Sequence, residues 1–365
     1  MKSLIDIGKV NQFPSGHYCS SEDWGSFEEF YKFEYVIDED IKEEDVLYKL
    51  RTLLEKGVEK RLMSDRKIAC LLSGGLDSTL VTAIVCRELG AENVNTYSIG
   101  LEGSVDLKYA QIAADYFGTN HTNIVVSEKE FLGGLDKTIK MTESWDTTTV
   151  RASTGNHLIS LYINEHSDDK VIFCGDVSDE IFASYRGFMS ADTPENFLKE
   201  NINMLKNIRY YDVLRSDKSI SGAGLEARVP FGDLEFVNFV MSLPAKYKMF
   251  DKNVMEKYYL RKAFEGYLPD ELLWRRKEAF SDGVSSLEKS WFEIIREYID
   301  GLIPDEEFEE RCNRYTYNKP YDKESLYYRE VFEGYYGGNA DTVPYFWRHP
   351  FSTILDPSAR LLDTY

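Results

Sequence analysis

The stretch CLLSGGLDSTLV, residues 70–81, constrains this chain more than any other. Ile68, Ala69, Cys70, Leu71 and Leu72 form a short apolar run ended by a Gly pair, which is the pattern of a buried strand. From Ser78 to Val85 the apolar residues recur at helical spacing, and Gly90 offers a stop. A glycine-rich turn from strand to helix exposes backbone N–H groups at a positive helix end, so it suits an anion. It is not a Walker A loop, because no Lys follows in the G-x-x-x-x-G-K-[ST] pattern. An ordinary β–α turn also uses Gly-Gly for tightness, so the rest of the chain has to decide between the two.

The 365 residues carry 43 basic and 63 acidic side chains, a net charge of −20. Such a balance gives no general attraction to nucleic acid or to anionic lipid. The acidic patches at 38–45 and 305–310 read as solvated faces. Five Cys make an odd count without a C-x-x-C pair, which fits buried thiols in a reducing compartment better than a disulfide framework. Five His show no clustering with Cys, so a zinc site is not expected. With no signal peptide and no apolar run of membrane-spanning length, a soluble cytoplasmic protein is the expectation.

Along the chain, residues 1–37 are aromatic-rich with turns at Pro14-Ser15-Gly16 and Trp24-Gly25, and read as short strands. Residues 38–45 read as a linker, and the spacing from Asp45 to Met63 predicts an amphipathic helix. Further strands are predicted at Val94–Ile99, Thr122–Val126 and Val171–Cys174. Asp106 is a candidate cap and Gly118 a candidate stop for the helix after the second strand, and SEKE at 127–130 reads as a capping box. Strands alternating with helices imply an α/β fold with a parallel sheet covered on both faces. Ligands of such sheets sit outside the carboxyl ends of the strands. Both the 73–78 loop and the 174–180 loop lie at such ends. After residue 195 the pattern is helical.

The full sequence Ser73-Gly74-Gly75-Leu76-Asp77-Ser78 resembles the pyrophosphate-binding loop of enzymes that cut ATP between its α- and β-phosphates. More broadly, the chain resembles the synthetase domain of the glutamine-dependent asparagine synthetases. The resemblance rests on LMSDRKIACLLSGGLDSTLV, YSIGLEGSVDLKYA, TTTVRAST, SDEIFASY, GLEARVPFGD, LRKAFEGYLPDELLWRRKEAFSDGV, DTVPYFW and DPSAR. These cover roughly residues 46–360 in the family's order. The resemblance implies a PP-loop fold of the adenine nucleotide alpha hydrolase type over 45–365, behind a β remnant and linker over 1–44. It also implies ATP and Mg²⁺ as cofactors. The implied reaction is adenylation of the aspartate side-chain carboxylate, with release of pyrophosphate, then attack by ammonia.

The resemblance also assigns residues. Ser73, Gly74, Gly75, Asp77 and Ser78 would hold pyrophosphate, and Leu71, Ile99, Cys174 and Gly175 would line the nucleotide site. Asp77 and Asp179 would take the metal, whose hard character suits carboxylate and phosphate oxygens. Thr148, Thr149 and Arg151 would meet phosphate or intermediate, and Lys277 would neutralise charge between phosphate and acyl group. Glu226, Arg228 and Asp233 would shape the substrate pocket. Asp176, Lys277 and Arg151 are the catalytic candidates. For each charged residue the bland alternative is an ion pair of about 0–1 kcal/mol.

Two departures from the family stand out. Its members carry an N-terminal Cys as glutaminase nucleophile, whereas Met1-Lys2-Ser3 opens this sequence and Cys19 is internal. Residues 8–37 look like the last strands of that domain, so ammonia, or a separate glutaminase chain, would supply the amine. A homodimer is the other protein partner considered. The family's Ser-Gly-Glu-Gly-Ser-Asp-Glu loop here reads Cys174-Gly175-Asp176-Val177-Ser178-Asp179-Glu180, so Asp176 replaces a Glu and Val177 replaces a Gly. Val177 should resist a positive φ, and Ala183-Ser184 likewise replaces Gly-Gly. The competing readings are a related amide or β-lactam-forming ligase with another carboxylate acceptor, and a degenerate nucleotide-binding homologue.

Overall fold

The computed structural model describes residues 10–277, 283–285, 289–358 and 361–362. The start at Met1-Lys2-Ser3, residues 278–282 of the LRKAF stretch and residues 359–360 of DPSAR lie outside the described residues.

Two short strands, β1 (His17–Tyr18) and β2 (Glu28–Glu29), pair antiparallel near the N-terminus. The helix α1 (Glu43–Glu59) follows, with Val46, Leu50, Leu54 and Val58 buried on one stripe. It starts two residues before the predicted Asp45, inside the stretch read as a linker. Three acids, Glu43, Glu44 and Asp45, stand at its positive end.

The centre is a five-stranded parallel sheet in the order β5-β4-β3-β6-β7. Its strands are β3 (Lys67–Leu71), β4 (Asn95–Leu101), β5 (Asn120–Val126), β6 (Asp169–Phe173) and β7 (Glu226–Arg228). Four agree with the sequence reading to within two residues. The fifth was not foreseen, because Glu-Ala-Arg carries neither apolar run nor β-branched residues and is recruited by pairing with β6. Helices pack both faces: α2 (Leu76–Leu89) and α3 (Val105–Phe117) on one, and Thr147–His166 on the other. Ser104 caps α3 by accepting from the Leu107 amide, where Asp106 was predicted. Asp106 instead pairs with Arg275, at 2.8 Å. Gly118 ends α3 in the left-handed region at φ +78°, and Ser127 with Glu130 forms the predicted capping box of the helix Glu128–Gly133.

From β3 the chain builds outward to β4 and β5, then returns to the opposite side of β3 to lay down β6. The strand order therefore reverses between β3 and β6, and a crevice opens beyond their carboxyl ends. Cys70 pairs with Phe173, so the loops after the two strands emerge side by side. A methyl group on Gly175 would lie 2.7 Å from the Ser78 amide nitrogen, so only glycine permits this approach. Gly74 is equally bound: its φ is +69° and a Cβ would lie 2.3 Å from the Tyr109 backbone.

Candidate active site

The glycine-rich turn enters α2 with Gly75 as N-cap and offers no side chain to satisfy the first amides. Its serines are tied inward: Ser78 donates to the Gly75 carbonyl (3.2 Å) and lies 3.0 Å from the Ser73 hydroxyl. The loop thus presents amides to the crevice at a positive helix end, an arrangement suited to an anion.

Cations ring this loop. Lys257, almost fully buried, places its ammonium 2.5 Å from Asp77 Oδ2 and 2.5 Å from Asp179 Oδ1. Lys277 reaches the same Asp179 oxygen at 2.5 Å and stands 4.7 Å over the Tyr185 ring. Arg275 donates to the Ser73 carbonyl (3.2 Å) and stacks on Tyr109 at 4.1 Å. Arg261 sets that backbone by donating to the carbonyls of Leu273 and Arg275. Burial alone would raise the Asp179 carboxyl, but Lys257 and Lys277 overcome it and hold the group far below the carboxylate range. Burial likewise opposes charge on Lys257, and Asp179 and Asp77 override it.

Asp77 and Asp179 share one cation between them, and both are hard oxygen donors. Two carboxylates beside a phosphate loop fit Mg²⁺, which keeps several waters and completes its shell with substrate phosphate. No group of three or more His, Cys, Asp or Glu side chains suited to a metal occurs among the described residues, so any such ion would depend on the phosphates.

The far end of the crevice is acidic. Glu180 and Asp212 are buried and both accept from the Tyr185 hydroxyl, at 2.5 and 3.2 Å. Arg215 is 3.1 Å from Asp212 and 3.7 Å from Asp176. Burial, then the neighbouring charges of Asp212 and Asp179, raise the Glu180 carboxyl well above its usual range. Trp347, His349 and Pro357 close this end.

Of the sequence-predicted residues, Leu71, Ser73, Gly75, Asp77, Ser78, Ile99, Cys174, Gly175, Asp176, Asp179, Thr148 and Lys277 line the crevice, with Gly74 inside the loop itself. The others lie elsewhere. Arg151 is buried and makes two-pronged contacts with Glu324 (2.8 and 2.6 Å) and Asp356 (2.9 and 2.9 Å). Thr149 is spent on Asp146, which caps its helix. Arg228 donates to the carbonyls of Arg61 and Met63, and Glu226 pairs with it at the sheet edge. Asp233 binds Lys60 and Arg61 and caps the helix Leu234–Met241. Sequence reasoning missed Lys257, Arg275, Glu180, Asp212, Arg215 and His349. Lys257 and Arg275 sit within or beside LRKAFEGYLPDELLWRRKEAFSDGV, and Glu180 within SDEIFASY, so the matched stretches held a signal for them. Asp212 and Arg215 lie in no matched stretch.

The loop carrying Asp176 has Val177 at φ +79° and Ala183 at φ +52°, and Lys257 sits at φ +56°. Val177 was expected to resist this conformation, yet it adopts it, with its side chain buried in the main hydrophobic cluster. Left-handed backbone at a β-branched residue is strained.

A parallel sheet with a glycine-rich loop at its reversal point, flanked by buried lysines and carboxylates, defines a doubly wound α/β protein. The Asparagine synthase family model matches residues 49–203 and 190–356. Glutamine-hydrolysing asparagine synthetases from Gallus gallus and Homo sapiens are 43% and 42% identical to it over 328 residues, 88% of this chain. A solved NMN synthetase from Francisella tularensis overlaps with a TM-score of 0.35 at 13% identity, covering 83% of this chain and 97% of its own, too low an overlap to bear on the site. The chain belongs to the asparagine synthase family. It spans 58% of the length of those curated relatives.

Proposed function

We propose that this chain is an ATP-dependent, AMP-forming amide ligase that adenylates the side-chain carboxylate of aspartate for attack by ammonia. The observation that carries the reading is the pair Asp77 and Asp179 beside the SGGLDS loop, held by Lys257 and Lys277. Cleavage between the α- and β-phosphates releases pyrophosphate, whose charge needs N–H donors and cations at the leaving group. The loop amides, Lys257 and Arg275 supply them. Bound Mg²⁺ would lie at Asp77 and Asp179 and stabilise charge on the phosphates.

Ammonia is the proposed amine. Cys70, Cys86, Cys174 and Cys312 are buried. Burial pushes the Cys86 thiol up to about 12, so it is no thiolate at neutral pH.

Pyrophosphate exchange into ATP, measured with a panel of carboxylic acids, tests the reading. Aspartate should support exchange, ammonium salts should give AMP and asparagine, and glutamine should yield no glutamate. Asp77→Ala should cut exchange by about 10²-fold or more. ADP and orthophosphate as products would overturn it.

A further inference from the structure

We infer that Asn201 and Lys248 are positioning residues, which hold from behind the one-turn helix that carries Asp179. Neither of them lines the crevice. The inference rests on the ligase reading above for its kinetic consequence alone.

The helix Ser178–Ile181 is bounded on both sides by unfavourable backbone. Val177 before it and Ala183 after it have positive φ, +79° and +52°. Residues other than glycine keep such a conformation only where their surroundings over-determine it. A single helical turn is also too short to persist on its own hydrogen bonds. The loop closes on itself in part: the amides of Ile181, Phe182 and Ser184 donate to the carbonyls of Val177 (3.2 Å), Ser178 (3.1 Å) and Asp179 (3.0 Å). The Glu180 carbonyl is served less well from within the loop, where the Ala183 amide reaches it at 3.4 Å. Its short bond comes from outside. Asn201, fully buried on the helix Pro194–Asn207, donates its Nδ2 to that oxygen at 2.5 Å.

Lys248 fixes which way Asn201 faces. Its Nζ donates to Asn201 Oδ1 at 2.8 Å. A backbone carbonyl only accepts, so the amide nitrogen must face Glu180 and the amide oxygen must face Lys248, whose nitrogen carries N–H donors in either protonation state. Lys248 is itself tied down, because it follows the turn Ala245–Tyr247 and donates its backbone amide to the Ala245 carbonyl at 2.8 Å. The side chain is buried, and burial brings its amine down to about 7, with no charged group among the described residues opposing the shift. A buried lysine without a carboxylate costs stability. Methionine would fill a similar space without that cost, so the amine is retained for what its N–H does, the pattern expected where function is set against stability. The bonds run in one line from Lys248 through Asn201 to the Glu180 peptide. The next residue along is Asp179, which meets Lys257 and Lys277 at 2.5 Å each.

The test compares wild type, Lys248→Met and Asn201→Leu at pH 7 by amide hydrogen exchange, urea unfolding and pyrophosphate exchange. In both variants the amides of 181–184 should exchange about fivefold faster or more relative to those of the sheet strands, the scale of one lost hydrogen bond. Lys248→Met should at the same time unfold at a higher urea midpoint than wild type. Its kcat for pyrophosphate exchange should nevertheless fall by about tenfold or more, with KM for ATP little changed, since a misplacement of about 1 Å can cost on the order of 10²-fold. A residue that only stabilises the fold would lower midpoint and rate together, and that result overturns the inference. Unchanged protection of 181–184, or a rate equal to wild type, overturns it as well. If Asn201→Leu does not fold, Lys248→Met carries the comparison. A wild type without pyrophosphate exchange on any acid defeats the ligase reading instead. Hydrogen exchange then decides alone, and equal protection of 181–184 in Lys248→Met and wild type overturns the anchoring.

Discussion

Two buried lysines show how burial and charge compete at a single residue. Lys257 is held between two carboxylates, so its ammonium stays charged. Replacing it by Met leaves Asp77 without its cation and Asp179 with Lys277 alone. The loss should be about 3–5 kcal/mol, as for other broken buried pairs, in urea unfolding. The sign of each shift fixes the pH window. A raised Lys stabilises at every pH below 10.5 and stops doing so as pH rises through its folded value. A depressed Asp179 stabilises above 3.8 and stops as pH falls through its folded value. The wild-type advantage over Lys257→Met should therefore be flat from about pH 5 to pH 9.

Lys248 is the opposite case. Among the described residues its partner is the Asn201 side-chain oxygen at 2.8 Å, and burial brings the amine down to about 7. The unfolded chain holds the proton up to 10.5, so folding is disfavoured by about 4–5 kcal/mol below pH 7 and by nothing above pH 10.5. Lys248→Met should raise the urea midpoint at pH 7, less about 1 kcal/mol for the lost hydrogen bond, and the gain should vanish by pH 10.5. A gain that does not change with pH would refute the titration.

At the scale of elements, the 174–184 loop sets strain against packing. Val177→Ala should cost about 1.6 kcal/mol, for two buried carbons at about 0.8 kcal/mol each, with φ still positive. Val177→Gly loses one carbon more, and glycine costs about 0.5–1 kcal/mol in chain entropy, but it regains about 1–3 kcal/mol of strain. Val177→Gly should therefore lie between about 1 kcal/mol worse and about 2 kcal/mol better than Val177→Ala. A Gly variant clearly the worse would mean that residue 177 is not left-handed in solution. Elements were legible where one physical signal dominated: β3 by its apolar run, α1 by its stripe, the 127–130 cap by its pattern. β7 was not, because short polar strands are chosen by their neighbours. The cap of α3 was misread because Ser104 and Asp106 are both good caps, and Arg275, distant in sequence, drew Asp106 away.

At the scale of the molecule, the crevice was legible on the sheet side and dark on the other. The loops after β3 and β6 announce themselves by glycines, whereas the opposing wall comes from single residues such as Asp212, Lys257 and His349, in one case 180 positions from its partner. Arg151, a catalytic candidate in the sequence, instead joins the helix Thr147–His166 to Glu324 on the helix Lys323–Tyr336 and to Asp356. Arg151→Met should cost about 3–5 kcal/mol, because two buried carboxylates lose their cation. An unfolding midpoint equal to wild type would show that the pairing contributes nothing.

Trp347, His349 and Pro357 make the last wall of the crevice, and Arg151 anchors the segment that bears them. In the order of synthesis, the phosphate loop and the five strands leave the ribosome long before that wall exists. A nascent chain can therefore assemble its sheet while the crevice still gapes to water. The crevice is complete only when residues 347–357 have emerged and latched, so each molecule gains its finished site well after its sheet.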